Sequence, residues 1–156
     1  MITIKACKTA DTRTMTEAIA KDVLLKSSEQ HIEDVTKAIH WMTGMLEWAA
    51  LHHDYTKLSD IVQFHKDCVD CQADSDKQFK KMEWYQHHVT EERHHLQEYV
   101  HDNVNLFDVL EYIADNVMAG LARTGMVRDC TLEDSVLRTA FNNTINQLVD
   151  RIEVTK

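Results

Sequence analysis

Three glycines and not one proline in 156 residues leave this chain few of the residues on which tight turns are usually built. Such a sequence favours long helices joined by short polar connections. The length fits one domain, 1–156, with a core that needs no staples. With 44% apolar and 28% charged residues, the expected class is a soluble all-α bundle.

The apolar periodicity gives the order of elements. Ile2 and Ile4 alternate around Thr3 as a short strand or extended N-terminal arm, too brief to seed a sheet alone. N-caps are on offer between Asp11 and Thr16, and Ala18, Ile19, Val23 and Leu24 predict a first helix to about Lys26. Ser27 and Ser28 restart the pattern as a capping box would, with a stripe of His31, Val35, Ile39 and Met42. Thr43-Gly44 either breaks that helix before the Leu46 segment or lets two helices pack closely. Ser59 and Asp60 cap the next helix. The segment 67–81 is polar and aperiodic, the best candidate for a mobile loop or lid. Residues 103–122 form an amphipathic helix with Leu106, Val109, Leu110, Ile113, Val117 and Leu121 on its apolar side. A last helix is expected over about 132–154.

Seventeen basic against 26 acidic residues give a formal charge of −9. No basic stripe is present, which argues against general nucleic-acid binding. No apolar run approaches the roughly 18–20 residues of a membrane span and no signal sequence is visible. Cys7, Cys68, Cys71 and Cys130 are therefore expected as thiols in a reducing cytoplasm. Cys68 and Cys71 form a lone CxxC without the second pair of a zinc knuckle.

Ten histidines are the unusual feature, and they are clustered. Leu46–Leu58 carries an apolar helical run into His52, His53 and Asp54. Neighbouring residues point about 100° apart on a helix, so His53 and Asp54 can converge only where the helix ends. Imidazole and carboxylate together suit Zn, Mn, Fe or Co. His87 and His94 are seven apart, as are His88 and His95, so each pair shares a face if 84–99 is one helix. Glu111 and Asp115 are four apart and share another. For any single histidine, the plain alternative is a solvated surface strip.

The whole order of residues resembles the HD superfamily, all-helical proteins whose founding members are metal-dependent phosphohydrolases. It is carried by His31-Ile32, His52-His53-Asp54 with Thr56-Lys57, Tyr85-Gln86-His87-His88, His94-His95, and Glu111 with Asp115. More narrowly it is similar to a little-characterised HD-related family of bacteria and tailed phages, over roughly residues 28–125. Glu92 departs from that pattern, standing where an Asn is expected two residues ahead of the second HH, and so leaves His94 or His95 open as the ligand. His40 is a weaker alternative to His31.

The resemblance implies one or two divalent ions (Mn, Zn, Co, Ni or Fe). His31, His53, Asp54 and Asp115 would hold the first, with His88 and His95 adding or bridging a second through Asp54. Glu91 or Glu111 would orient or deprotonate water, and Lys57 or Arg93 would neutralise phosphate. Glu111 has a plainer role open to it, steadying a ligating imidazole. The implied activity is hydrolysis of a nucleotide or other small phosphoester in the cytoplasm, that of the host if the chain is phage-encoded, and a homodimer follows by analogy. The rivals are an HD-fold di-iron oxygenase and a non-catalytic helical interaction protein.

Overall fold

A computed structural model describes residues 1–7 and 18–156. Strand β1 (Ile2–Lys5) is followed by helices α1 (Lys21–His52), α2 (Tyr55–Ser59) and α3 (Ile61–Ala73), a 3-10 turn (Phe79–Lys81), then α4 (Glu83–Glu91), α5 (Leu106–Thr124), α6 (Asp134–Val149) and β2 (Ile152–Thr155). The chain is all-α in class with one small two-stranded addition. Among the described residues no helix is long and apolar enough to cross a membrane. The N-caps expected at Asp11–Thr16 lie outside the described residues.

Two compact units emerge from the chain's internal contacts, one of residues 1–45 with 145–156 and one of residues 46–144. In the first, β1 pairs in parallel with β2, Ile2 opposite Ile152 and Ile4 opposite Val154. The arm thus finds a partner at the far end of the chain. The expected helix to 154 is cut short at Val149, because Ile152 and Val154 alternate with Glu153 and Thr155 as a strand does. Gln30 Nε2 on α1 donates to the Lys5 carbonyl at 2.6 Å, tying the strand to the helix.

Helix α1 is the main departure from expectation. It runs unbroken through Ser27-Ser28 and Thr43-Gly44. The Ser28 and Thr43 hydroxyls donate back to the carbonyls of Leu24 and Ile39 at 2.8 and 3.1 Å, so their competing hydrogen bonds are absorbed inside the helix.

In the second unit, α3 extends to Ala73, so the expected loop over 67–81 shrinks to the few residues before the 3-10 turn. Asp67 is almost fully buried. Its carboxylate accepts from Trp84 N at 2.8 Å and from Gln63 Nε2 at 2.7 Å, satisfying one of the unpaired N–H groups at the start of α4. Trp84 stacks on Phe64 of α3, ring centroids 3.8 Å apart. A capping box of Asn105 and Asp108 starts α5. Its first turn is joined to α6, where Thr144 Oγ1 accepts from Leu106 N at 2.9 Å. Leu96, Val104, Val109, Tyr112 and Ala140 form the core there. Of the apolar side expected for α5, Leu110, Ile113 and Leu121 are exposed.

Candidate metal centre

Helix α1 stops at His52, and the next residues reverse the chain before α2. The reversal is made by Asp54, which sits in the left-handed region at φ 56°, alone among the described non-glycine residues. Aspartate tolerates this conformation better than most residues. It turns the two neighbouring side chains toward each other, His53 Nε2 lying 3.4 Å from Asp54 Oδ2.

The chain after α4 reverses as well. Helix α4 ends at Glu91, so the condition that 84–99 be one helix is not met, and His94 and His95 return on a turn. Arg93 holds that turn in place. Its guanidinium donates twice to Asp108, at 2.8 and 2.7 Å, and also to Asn103. A guanidinium engaged in this way is a fixture of the fold and is not free for phosphate.

The result is a run of four imidazoles. Ring centroids are 4.5 Å apart for His53 and His94, 4.4 Å for His94 and His95, and 4.6 Å for His95 and His88. Three ligand groups can be drawn among the described residues: His53, His94 and Glu111; Asp54, His88 and His95; and His53, Asp54 and Asp115. Asp54 sends one oxygen to each side. Its Oδ1 lies 3.4 Å from His88 Nε2 and 3.7 Å from His94 Nε2, while Oδ2 faces His53 and accepts from the Lys57 ammonium. Asp115 Oδ1 is 3.7 Å from His53 Nε2, so the shared face with Glu111 is realised.

Several hydrogen bonds fix how the rings present themselves. Thr56 gives both its backbone N–H and its hydroxyl proton to Glu92 Oε1, each at 2.7 Å. With that proton used, the 2.6 Å contact between Thr56 Oγ1 and His88 Nδ1 has the imidazole as donor. His88 therefore turns its Nε2 lone pair toward Asp54. Trp84 stacks on the same ring at 4.6 Å. On the other side, His53 Nδ1 meets Glu111 Oε1 at 3.0 Å, which leaves its Nε2 facing the carboxylates. His94 Nδ1 is also 3.0 Å from Glu111 Oε1, but out of line for a hydrogen bond.

Charge balance differs around the cluster. Burial, with His95 beside it, pushes the His88 imidazole down to about 3. Burial, with His94 adding, takes His95 down to about 4. The hydrogen bond to Glu111 lifts His53 above its usual value against the opposing effect of burial. Burial works to raise the Glu111 carboxyl, but the hydrogen bond from His53 and the closeness of the His94 ring outweigh it and bring it down to about 2. Burial likewise opposes Asp54, yet the Lys57 ammonium holds that carboxyl below the ordinary range.

A divalent cation fits this donor set. Asp54 Oδ1 and both nitrogens of His94 are buried without a hydrogen-bond partner, a costly condition that an ion would relieve. Donor atoms about 2.0–2.2 Å from a tetrahedral ion stand roughly 3.3–3.6 Å apart, close to the 3.4 and 3.7 Å separations around Asp54. His88 Nε2 and His95 Nε2, at 2.8 Å, are instead at the distance of a shared proton.

Of the residues expected at the site, His53, Asp54, His88, His95, Asp115 and Glu111 are brought together. His31 is not, and it belongs to none of the ligand groups of the described residues. Its inclusion required a turn between two helices, and α1 has none. Glu91 is exposed at the end of α4 and also outside the groups. His87 pairs with Asp60 at 3.3 Å. His94, left open beside His95, joins the cluster as well. Glu92, noted in the sequence only as a departure, is the buried acceptor that orients Thr56 and, through it, His88.

Comparison of the chain with family models, with curated proteins and with solved structures finds no match.

Proposed function

We propose that this chain is a metal-dependent hydrolase of small phosphoesters, with one or two divalent ions held among His53, Asp54, His88, His94, His95 and Asp115. The single observation that supports this is the pair of ligand groups meeting at Asp54, whose buried Oδ1 has no hydrogen-bond partner. The HD-like order of these residues along the sequence supports it further. A divalent ion in such a site lowers the pKa of water and polarises a phosphoryl oxygen.

The chain's own groups then have definite tasks. Glu111 steadies His53, and Glu92 with Thr56 steadies His88. Lys57, paired with Asp54 and with its side chain about a third exposed, is the cation nearest to an incoming phosphate. In the reaction water adds to phosphorus, the ester P–O bond breaks, and the departing oxygen takes a proton, giving an alcohol and inorganic phosphate. Cys68, Cys71 and Cys130, as free thiols, suit a reducing cytoplasm as the setting.

Elemental analysis of the wild type beside Asp54→Ala, followed by a phosphoester screen with the metal found, tests the assignment. Bound Mn, Co, Ni or Zn with turnover, both lost in the variant, is the expected result. A mixed-valence iron signal without hydrolysis would point to a di-iron oxygenase. No metal, with a melting temperature unmoved by chelator, would leave a helical interaction protein.

A further inference from the structure

Beside the imidazole cluster, within the same compact unit, lies a cavity of about 360 Å³. Leu46, Ala49 and Ala50 of α1 form one side, and Leu110, Ala114 and Met118 of α5 the other. The polar residues on its lining are His53, Glu111 and Asp115, which are members of the cluster. The cavity is thus apolar on both helices, and its lining includes two of the proposed ion ligands, His53 and Asp115, with Glu111 beside them.

Its volume is within the roughly 300–1,000 Å³ of small-molecule sites. It is also more than twice the about 150 Å³ that accommodates benzene in an engineered apolar cavity, leaving room for a naphthyl-sized group or a medium alkyl chain. A nucleobase is a poor occupant. Each buried donor or acceptor left unpaired costs about 1–3 kcal/mol, and the six apolar residues offer no side-chain hydrogen bond to a base edge.

We propose that this cavity receives the apolar organic group of the substrate, so that the phosphoester acted on is an alkyl or aryl phosphomonoester rather than a nucleotide. This rests on the phosphohydrolase assignment for the site of the chemistry. The apolar wall itself bears on binding, whether or not turnover follows. Leu110 and Met118, exposed and unexplained by the core of α5, acquire a role as the walls that grip the chain of the substrate.

The test uses the full chain titrated with Mn²⁺. Calorimetry follows binding of n-alkylphosphonates from methyl to octyl, and kcat/KM is measured for the matching n-alkyl phosphates. Affinity should rise about fourfold per methylene, the equivalent of the ~0.8 kcal/mol of a buried CH₂, and then level off when the cavity is full. Ala114→Leu and Ala50→Leu should bring the plateau at shorter chains. A nucleoside 5′-monophosphate should bind no better than methylphosphonate. A flat phosphonate series, or a tenfold preference for the nucleotide, overturns the proposal. Graded phosphonate binding without hydrolysis of any ester keeps the cavity assignment and removes the phosphohydrolase one, whereas hydrolysis with a flat series does the reverse.

Discussion

On one side of Asp54, His88 and His95 are imidazoles that burial keeps neutral, with the His88 ring oriented by a threonine hydroxyl. On the other, His53 is drawn toward its charged form by the Glu111 carboxylate. The same residue type is thus prepared in two ways within one cluster. The neutral pair can take an ion with no net loss of a proton, whereas any protonated His53 must first give one up, since metal ligation needs neutral imidazole. The carboxylate that holds the charge in the metal-free chain is also the group that would hold the ring once an ion replaced the proton.

Breaking the charged side should have the larger effect. Glu111→Gln removes the anionic acceptor of His53 and the anion beside His94, and metal affinity should fall about 10–100-fold, read by competition with a chelating dye. An affinity unchanged within threefold would mean that the Glu111 charge has no part in preparing His53 for an ion. Thr56→Val addresses the neutral side. It keeps the shape of the side chain but removes the hydroxyl between His88 and Glu92, and should weaken metal binding by about tenfold, with Thr56→Ser restoring it. Failure of serine to rescue would show that the methyl group, and not the hydroxyl, matters there.

The smallest effect sharpens the contrast by pH in the metal-free protein. An unfolded chain protonates His88 and His95 near pH 6.5, but the folded one does so only near 3 and 4. Between these limits the unfolded state binds more protons, so their contribution to stability is full above pH 6.5 and declines as pH falls toward 3. His53, whose folded value is raised, acts oppositely: its contribution is full below pH 6.5 and is lost as pH rises through the folded value. Two lowered groups against one raised group predict a melting temperature lower by about 5 °C at pH 5 than at pH 7. The His95→Gln variant should show a shallower decline. A melting temperature that rises on acidification would reverse the assignment of the two sides.

Local spacing carried much of the site into view from the sequence. The four-residue step from Glu111 to Asp115 gave a shared helical face, and a helix ending at His53-Asp54 gave a convergent pair. His88 and His95 do meet, but by a chain reversal after Glu91 and not by the helical period that suggested it. His31 failed for a related reason. Serine and threonine that look like helix stops can also bond back to the preceding turn, and in α1 they do. Glu92 was invisible as a tether because its partner Thr56 is 36 residues away, a pairing set by packing alone. Ile152 continues the helical stripe of Ile145 and Leu148 as readily as it alternates with Val154 in a strand, and a partner strand at the other terminus decided between them.

The backbone at Asp54 has a bearing on every experiment aimed at that carboxylate. Because one residue both supplies the oxygens between the two sides and makes the left-handed bend that joins α1 to α2, alanine there disturbs the path of the chain together with the chemistry. Asparagine, at home in the same bend, removes the negative charge while leaving the path intact. Joint and ligand are thus one residue, so an ion gripped at this carboxylate would also brace the corner from which His53 is presented.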